Sequence, residues 1–180
     1  MYVPTLTERR SPWVVLTVRD DPWVVGELDA LRVQGGLGFR LDARELLEPS
    51  ELFRVFAREL SFPGYFGHNW DALADCLREL HGPWHGGRDI AVVIDHADCL
   101  LDVDYLGLFV SVLCQAAWQA NLRLDSDGRP QGDAPFALHF VLLVDEIPVG
   151  KFAAGVADGR YVVVEAQDGR LLASLGGDWP

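Results

Sequence analysis

Phe62-Pro63-Gly64-Tyr65-Phe66-Gly67-His68-Asn69-Trp70-Asp71-Ala72-Leu73-Ala74-Asp75-Cys76-Leu77 is the stretch on which the reading of this chain turns. A Pro/Gly/aromatic turn runs directly into a helical pattern. Asp71 and Asp75 are four residues apart, and on a helix that spacing puts them on one face. At about 100° per residue, with Asp71 at zero, Asp75 lies near 40° and Leu73, Cys76, Leu77 and Leu80 fall between about 140° and 240°. The apolar stripe therefore faces a core and the two carboxylates face water. Ala72 and Ala74 between them are too small to shield them. The expectation is an acidic knob on a rigid support, introduced by an aromatic loop.

Within that loop Phe66 is expected to point inward, leaving Tyr65 outward. Gly67 is expected to supply a positive φ, and Asn69 to cap the helix. Trp70 and Cys76 read as core. Asp71 has a second use in the first helical turn, where a carboxylate is favoured by the helix dipole.

On the N-terminal side, Pro49-Ser50-Glu51 opens a helix with Leu52, Phe53, Phe56, Ala57 and Leu60 at helical spacing. Before it, Leu37 to Leu41 reads as a strand ending at Asp42. Trp13 to Val18 and Trp23 to Val25 read as short strands broken at Asp20-Asp21-Pro22, a hairpin signal. Leu31 to Val33 reads as a further strand before the Gly35-Gly36 pair. On the C-terminal side the helix of the central stretch should stop at Gly82-Pro83. Ile90 to Ile94 and Phe136 to Val144 read as strands buried on both faces, as in parallel sheets. Asp95 to Val103 should be a loop with a short helical turn, and Asp104 to Ala120 a helix capped by Asp104. Asp125 to Pro135 reads as a polar loop. Tyr161 to Glu165 and Leu171 to Leu175 flank Gln167-Asp168-Gly169, a hairpin. The order strand, two helices, strand, helix, strand predicts an α/β fold. Its sheet should be small, mainly parallel and of about three strands, extended by β-structure from both termini.

At 180 residues, with 49% apolar residues, the chain has material for a sizeable core. The mean hydropathy is +0.10. No apolar run reaches the roughly 18 residues needed to span a bilayer. Residues 1–12 carry Arg9 and Arg10 but no apolar stretch, so no secretory signal is expected. Cys76, Cys99 and Cys114 have no metal-ligand or disulfide-framework spacing; buried free thiols in a reducing cytoplasm are expected. The net charge is −12, and residues 89–180 hold fourteen acidic against five basic side chains. Such a chain repels nucleic-acid phosphates and anionic membranes and attracts basic proteins. An acidic surface also serves solubility alone.

Leu41-Asp42, the helix after it and the run Phe62-Pro63-x-Tyr65-Phe66-Gly67-x-Asn69-Trp70-Asp71-Ala72-Leu73-x-Asp75-Cys76-Leu77 resemble the barstar family of intracellular ribonuclease inhibitors. The resemblance covers about residues 37–144. It implies a barstar-like domain over 37–144, in three layers of helix and sheet. An N-terminal β-rich extension over 1–36 and a C-terminal hairpin extension over 145–180 would flank it. It implies a non-catalytic immunity protein, or antitoxin, with no cofactor. Its partner would be a basic ribonuclease or toxin nuclease whose active site it blocks with the acidic helix and the preceding loop. Asp75 falls on the family's main anchor position, and Asp71 and Tyr65 fall on further contact positions. Gly67 and Asn69 would shape the loop. The chain departs from the family at Ala74, where a bulky aromatic stands, and at Arg78, where a small polar residue stands. Near −20° on the same wheel, Arg78 would lie between the aspartates' face and solvent, able to pair with either. Gln115 and Gln119 stand nearest a position where the family offers an acidic contact.

Two readings of other classes remain open at this level. One is an interaction module that docks on a basic partner without inhibiting it. The other is a metal-dependent hydrolase using His68, Asp71 and Asp75 at i, i+3 and i+7, with His81 and His85 near by. No HExxH or phosphate-cradling Gly loop supports it, and no Cys/His pairing suggests a thiol nucleophile. The oligomeric state is not encoded in any motif.

Overall fold

Asp21 and Pro22 mark the first place where structure and sequence pattern part. A computed structural model describes residues 3–80, 87–122, 127, 129, 135–157 and 161–176. Val14–Val18 is a strand, β1, as its β-rich run predicts. Pro22–Val33, however, is a helix, α1, and not a second strand. The Asp21 carboxylate accepts from the Trp23 amide at 2.9 Å, and Pro22 occupies the first helical position, where its missing N–H costs nothing. Val24, Leu28 and Leu31, at helical spacing, are buried. Leu31 to Val33 is thus the last turn of α1, and the chain leaves it through Gly35 at φ 83°.

The central elements follow the pattern closely. Leu37–Asp42 is β2 and Pro49–Glu59 is α2, with a 3-10 turn at Ala43–Glu45 between them. Trp70–Arg78 is α3, Ile90–Asp95 is β3, and Ala97–Leu100 is a 3-10 turn. Leu106–Leu122 is α4 and Leu138–Val144 is β4. The helix begins at Leu106, beyond the cap expected at Asp104. Gly82-Pro83 and most of the loop 125–135 lie outside the described residues. After β4 comes an unanticipated short helix, α5 (Val149–Val156), whose Phe152 and Val156 are buried. Val162–Gln167 (β5) and Arg170–Leu175 (β6) form the expected hairpin, with Asp168 and Gly169 both at positive φ, as a type I′ turn requires.

The sheet has six strands, larger than the expected core of about three with added flank strands, in the order β2-β3-β4-β1-β6-β5. β2, β3, β4 and β1 run parallel; β6 and β5 extend the sheet antiparallel. β1, β5 and β6 are what the flanks contribute, and β1 lies inside the sheet, paired with β4 along its whole length. The step from β1 to β2 crosses to the far edge and the later steps come back. With right-handed crossovers that reversal puts α1 on the opposite face from the later helices. The burial agrees. Val24, Leu28, Leu31 and Leu6 pack on Ala91, Val93, Val141 and Leu143. The alternate residues Val92, Ile94, Phe140 and Leu142 meet α2, α3, α4 and α5 on the other face. This second core is dense with rings: Phe56 and Phe109 meet edge to face at 5.9 Å.

Buried polar groups tie the flanks to this frame. Asp21 holds Arg170 of β6 through two hydrogen bonds, 2.6 and 3.0 Å, and accepts from the Thr17 hydroxyl at 2.6 Å. His139 of β4, fully buried and stacked on Trp13, has Nε2 2.7 Å from the Glu8 carbonyl and Nδ1 3.0 Å from that of Pro12. Among the cysteines, Cys76 and Cys114 are buried, but Cys99 is exposed, contrary to expectation, because the 3-10 turn that carries it buries Ala97 and Leu100 instead.

Candidate partner-binding face

The loop between α2 and α3 is built on its aromatics. Phe66 is buried, packed on Phe62 at 5.0 Å and on Phe53 of α2 at 6.4 Å. Its amide donates to the Pro63 carbonyl at 3.0 Å, closing a turn. With Phe66 turned in, Tyr65 is turned out and is 79% exposed. The positive φ expected of Gly67 is found one residue later, at His68 (φ 51°). Gly67 is instead a place of close approach. A Cβ there would stand 3.1 Å from the Asn69 side-chain nitrogen and 3.4 Å from the Ala72 methyl. Asn69 uses both ends of its amide: Oδ1 accepts from the Ala72 amide at 2.8 Å and Nδ2 donates to the Gly67 carbonyl at 3.2 Å. One side chain therefore caps α3 and fixes the loop that enters it.

α3 is held from behind. Trp70 meets Phe53 edge to face at 4.9 Å and Tyr105 at 5.7 Å. The Tyr105 hydroxyl donates to the Leu46 carbonyl, and burial pushes it up to about 12. Leu73 and Leu77 are buried in the main core. Burial, with the Glu79 and Asp75 charges, pushes the Cys76 thiol up to about 11, far from thiolate chemistry at neutral pH.

Asp71 and Asp75 are exposed, as the wheel predicts. Glu79, one more step of four residues, is also exposed, so three carboxylates stand in a row along one side of α3 and its end. Their i+4 spacing was the signal for the third. Asp71 makes no ion pair among the described residues. Asp75, its side chain 54% exposed, forms an ion pair with Arg78, Oδ1 to Nη2 at 3.1 Å. Arg78 itself corrects the expectation of a solvent-side residue. Its side chain is 8% exposed, and Nη1 reaches the buried Gln119 Oε1 of α4 at 3.5 Å. The wheel treats a helix face as uniform along its length. Here α4 packs against α3 and Gln119 closes over the last turn. Ala74 is likewise buried, and Gln115 is half-buried. Of the sequence-derived residues, Tyr65, Gly67, Asn69, Asp71 and Asp75 are exposed on the loop and α3; Ala74 and Arg78 are buried.

The arrangement does not resemble a metal centre. Among the described residues no three His, Cys, Asp or Glu side chains are placed to hold an ion. The His68 ring lies against Phe66 at 4.7 Å, and His81 and His85 lie outside the described residues. A second charged cluster, at the ends of β2 and β3, is internally paired: Arg40 with Asp95 at 2.9 Å and Arg44 with Asp42 at 2.6 Å. The Arg44 guanidinium holds the Asp42 carboxyl down at about 2.

An α/β frame that presents a capped acidic helix behind an outward tyrosine is matched by one family model, Barstar (barnase inhibitor), over residues 38–130. The chain belongs to the barstar family. The matched region runs from β2 through α4, so it contains the whole of the loop and α3, together with Tyr105 and Gln119 that brace them. β1, α1 and the C-terminal hairpin lie outside it. A comparison with curated proteins found no match. No helix among the described residues is long and apolar enough to cross a membrane.

Proposed function

We propose that this chain is a non-catalytic inhibitor, of the immunity or antitoxin kind, that blocks the active site of a basic ribonuclease or toxin nuclease. The observation that carries the reading is the solvent face of α3, where Asp71, Asp75 and Glu79 recur every four residues and are exposed, as is Tyr65 in the loop that leads into the helix. A nuclease site gathers cationic side chains to hold phosphate. A fixed carboxylate takes charge-assisted hydrogen bonds from the same groups. The cost of ordering is met in advance, because the Asn69 cap and the buried Leu73 and Leu77 hold the helix before any partner arrives. Tyr65 offers a large contact surface with little conformational entropy to lose.

In this reading Asp75 is the central anchor, Asp71 the second charge and Tyr65 the aromatic contact. Gly67 and Asn69 set the shape of the patch, while Ala74 and Arg78 support it from below. The net charge of −12 steers a cationic partner toward it. A cytoplasmic setting suits three free thiols, one of them exposed. The test is direct: titrate the purified chain into barnase and into small basic nucleases of its native host, and follow RNA cleavage. Loss of activity that ends at one inhibitor per nuclease supports the proposal. Undiminished cleavage at saturating excess, by every nuclease tried, contradicts it.

A further inference from the structure

Arg78 is the one residue of this face whose placement inhibition by an acidic knob does not call for. A guanidinium is a permanent cation with five donors, and taking it out of water is costly unless counter-charge and acceptors surround it. Here they do so incompletely. Nη2 lies 3.1 Å from Asp75 Oδ1 and 3.6 Å from Glu79 Oε1; Nη1 makes a long 3.5 Å contact to Gln119 Oε1. Nε is buried with no hydrogen-bond partner among the described residues. The short contact to charge is Asp75, the same carboxylate that faces outward.

We propose that Arg78 is a specificity-determining residue: a built-in cation that competes with the partner for Asp75. This rests on the reading of the α3 face as the nuclease-binding surface. One oxygen of Asp75, Oδ1, is engaged by Arg78, which leaves Oδ2 to face an incoming partner. A site offering one lone cation gains little, because it meets a carboxylate already paired and a positive charge close behind it. A site with several converging cationic donors overcomes both and engages Asp71 as well. Arg78 also helps to hold the Asp75 rotamer. That contribution is the smaller one, because an aspartate has only two side-chain dihedrals to fix, whereas a full unit charge remains within a few ångströms of the interface.

The proposal predicts two couplings, read in one set of variants: Asp75→Asn, Arg78→Met, the double variant and Arg78→Lys. In urea unfolding, Asp75→Asn should lower the midpoint of the wild type, since it strips the buried cation of its nearest counter-charge. In the Arg78→Met background the same change should leave the midpoint where it was. In binding to barnase, Arg78→Met should tighten the complex by about tenfold. Arg78→Lys, which keeps the charge and loses the fork, should leave affinity near that of the wild type. If Arg78→Met does not fold, Arg78→Gln makes the same comparison. Additive midpoints, or an Arg78→Met complex no tighter than wild type, overturn the proposal. Failure of every form to bind barnase contradicts the competition and the barnase-type partner together, and the urea cycle then still decides whether Asp75 is the counter-ion of Arg78.

Discussion

Asp71 and Asp75 look alike in the sequence and differ in the fold. Asp71, in the first turn of α3, has no ion pair among the described residues, whereas Asp75 serves a buried guanidinium. Truncation should separate them. Asp71→Ala is expected to leave thermal stability within about 0.5 kcal/mol of wild type, as for ordinary surface changes. Asp75→Ala is expected to cost more, because it uncovers Arg78, so the bare wheel picture of a purely solvated anchor does not hold. Both should weaken nuclease binding, Asp75→Ala by about thirtyfold or more if it is a hot spot. Paired calorimetric melts and binding titrations read both effects. Gly67 teaches a similar lesson. What sets it apart is the close approach of the Asn69 amide and the Ala72 methyl, and the positive φ sits on His68. No local sequence signal distinguishes these two reasons for a glycine.

At the scale of elements, α3 depends on its cap. Asn69→Ala removes the acceptor for the Ala72 amide and the donor to the Gly67 carbonyl. The expected cost is about 1 kcal/mol, near 3 °C in melting temperature for a chain of this size. Asn69→Asp, which keeps the acceptor, should recover most of it. The cap was legible because Asn before Trp-Asp at the head of an apolar stripe has few other uses. β2, β3, β4 and the helices α2, α3 and α4 were legible for the same reason: their periodicity and length agree. α1 was not. Trp23-Val24-Val25 has strand propensity, and Asp-Pro serves equally as a turn and as a cap followed by a first helical proline. Only the burial of Val24, Leu28 and Leu31 against β3 and β4 decides between them. α5 was missed because eight residues with two glycines give too little periodic signal. In the site, exposure of the two aspartates followed from the wheel. The burial of Arg78 did not, because it depends on Gln119, forty-one residues away.

At the scale of the molecule, charge and the N-terminal segment each make a prediction. The excess of negative charge should accelerate capture of a basic nuclease and be screened by salt. Raising ionic strength from about 0.05 to 0.5 M should slow association by about tenfold, with a smaller change in dissociation. Stopped-flow mixing measures both rates. The segment before β1 is clasped to the sheet by His139, whose two ring nitrogens lie on the Glu8 and Pro12 carbonyls. Burial holds this imidazole below its ordinary value, against the pull of those carbonyls and of Asp89 and Glu27. The unfolded chain therefore takes up a proton first as pH falls. Stability should be at its full value above about pH 6.5 and decline below it. Urea midpoints measured between about pH 7.5 and 5 should show that decline, and His139→Gln should flatten it. β1, which follows the clasp, is paired with both β4 and β6, so its loss would split the sheet in the middle.

Whether the acidic face of α3 is the nuclease contact is decided by calorimetric titration of barnase with three forms of the chain: wild type, the Asp71→Ala/Asp75→Ala double variant, and Asp29→Ala on the opposite face. Wild type and Asp29→Ala should bind one-to-one with equal affinity, and the double variant should lose about a hundredfold or more, the product of two weakened charges. Equal binding by all three forms would contradict it, since the acidic face of α3 would then lie outside the contact.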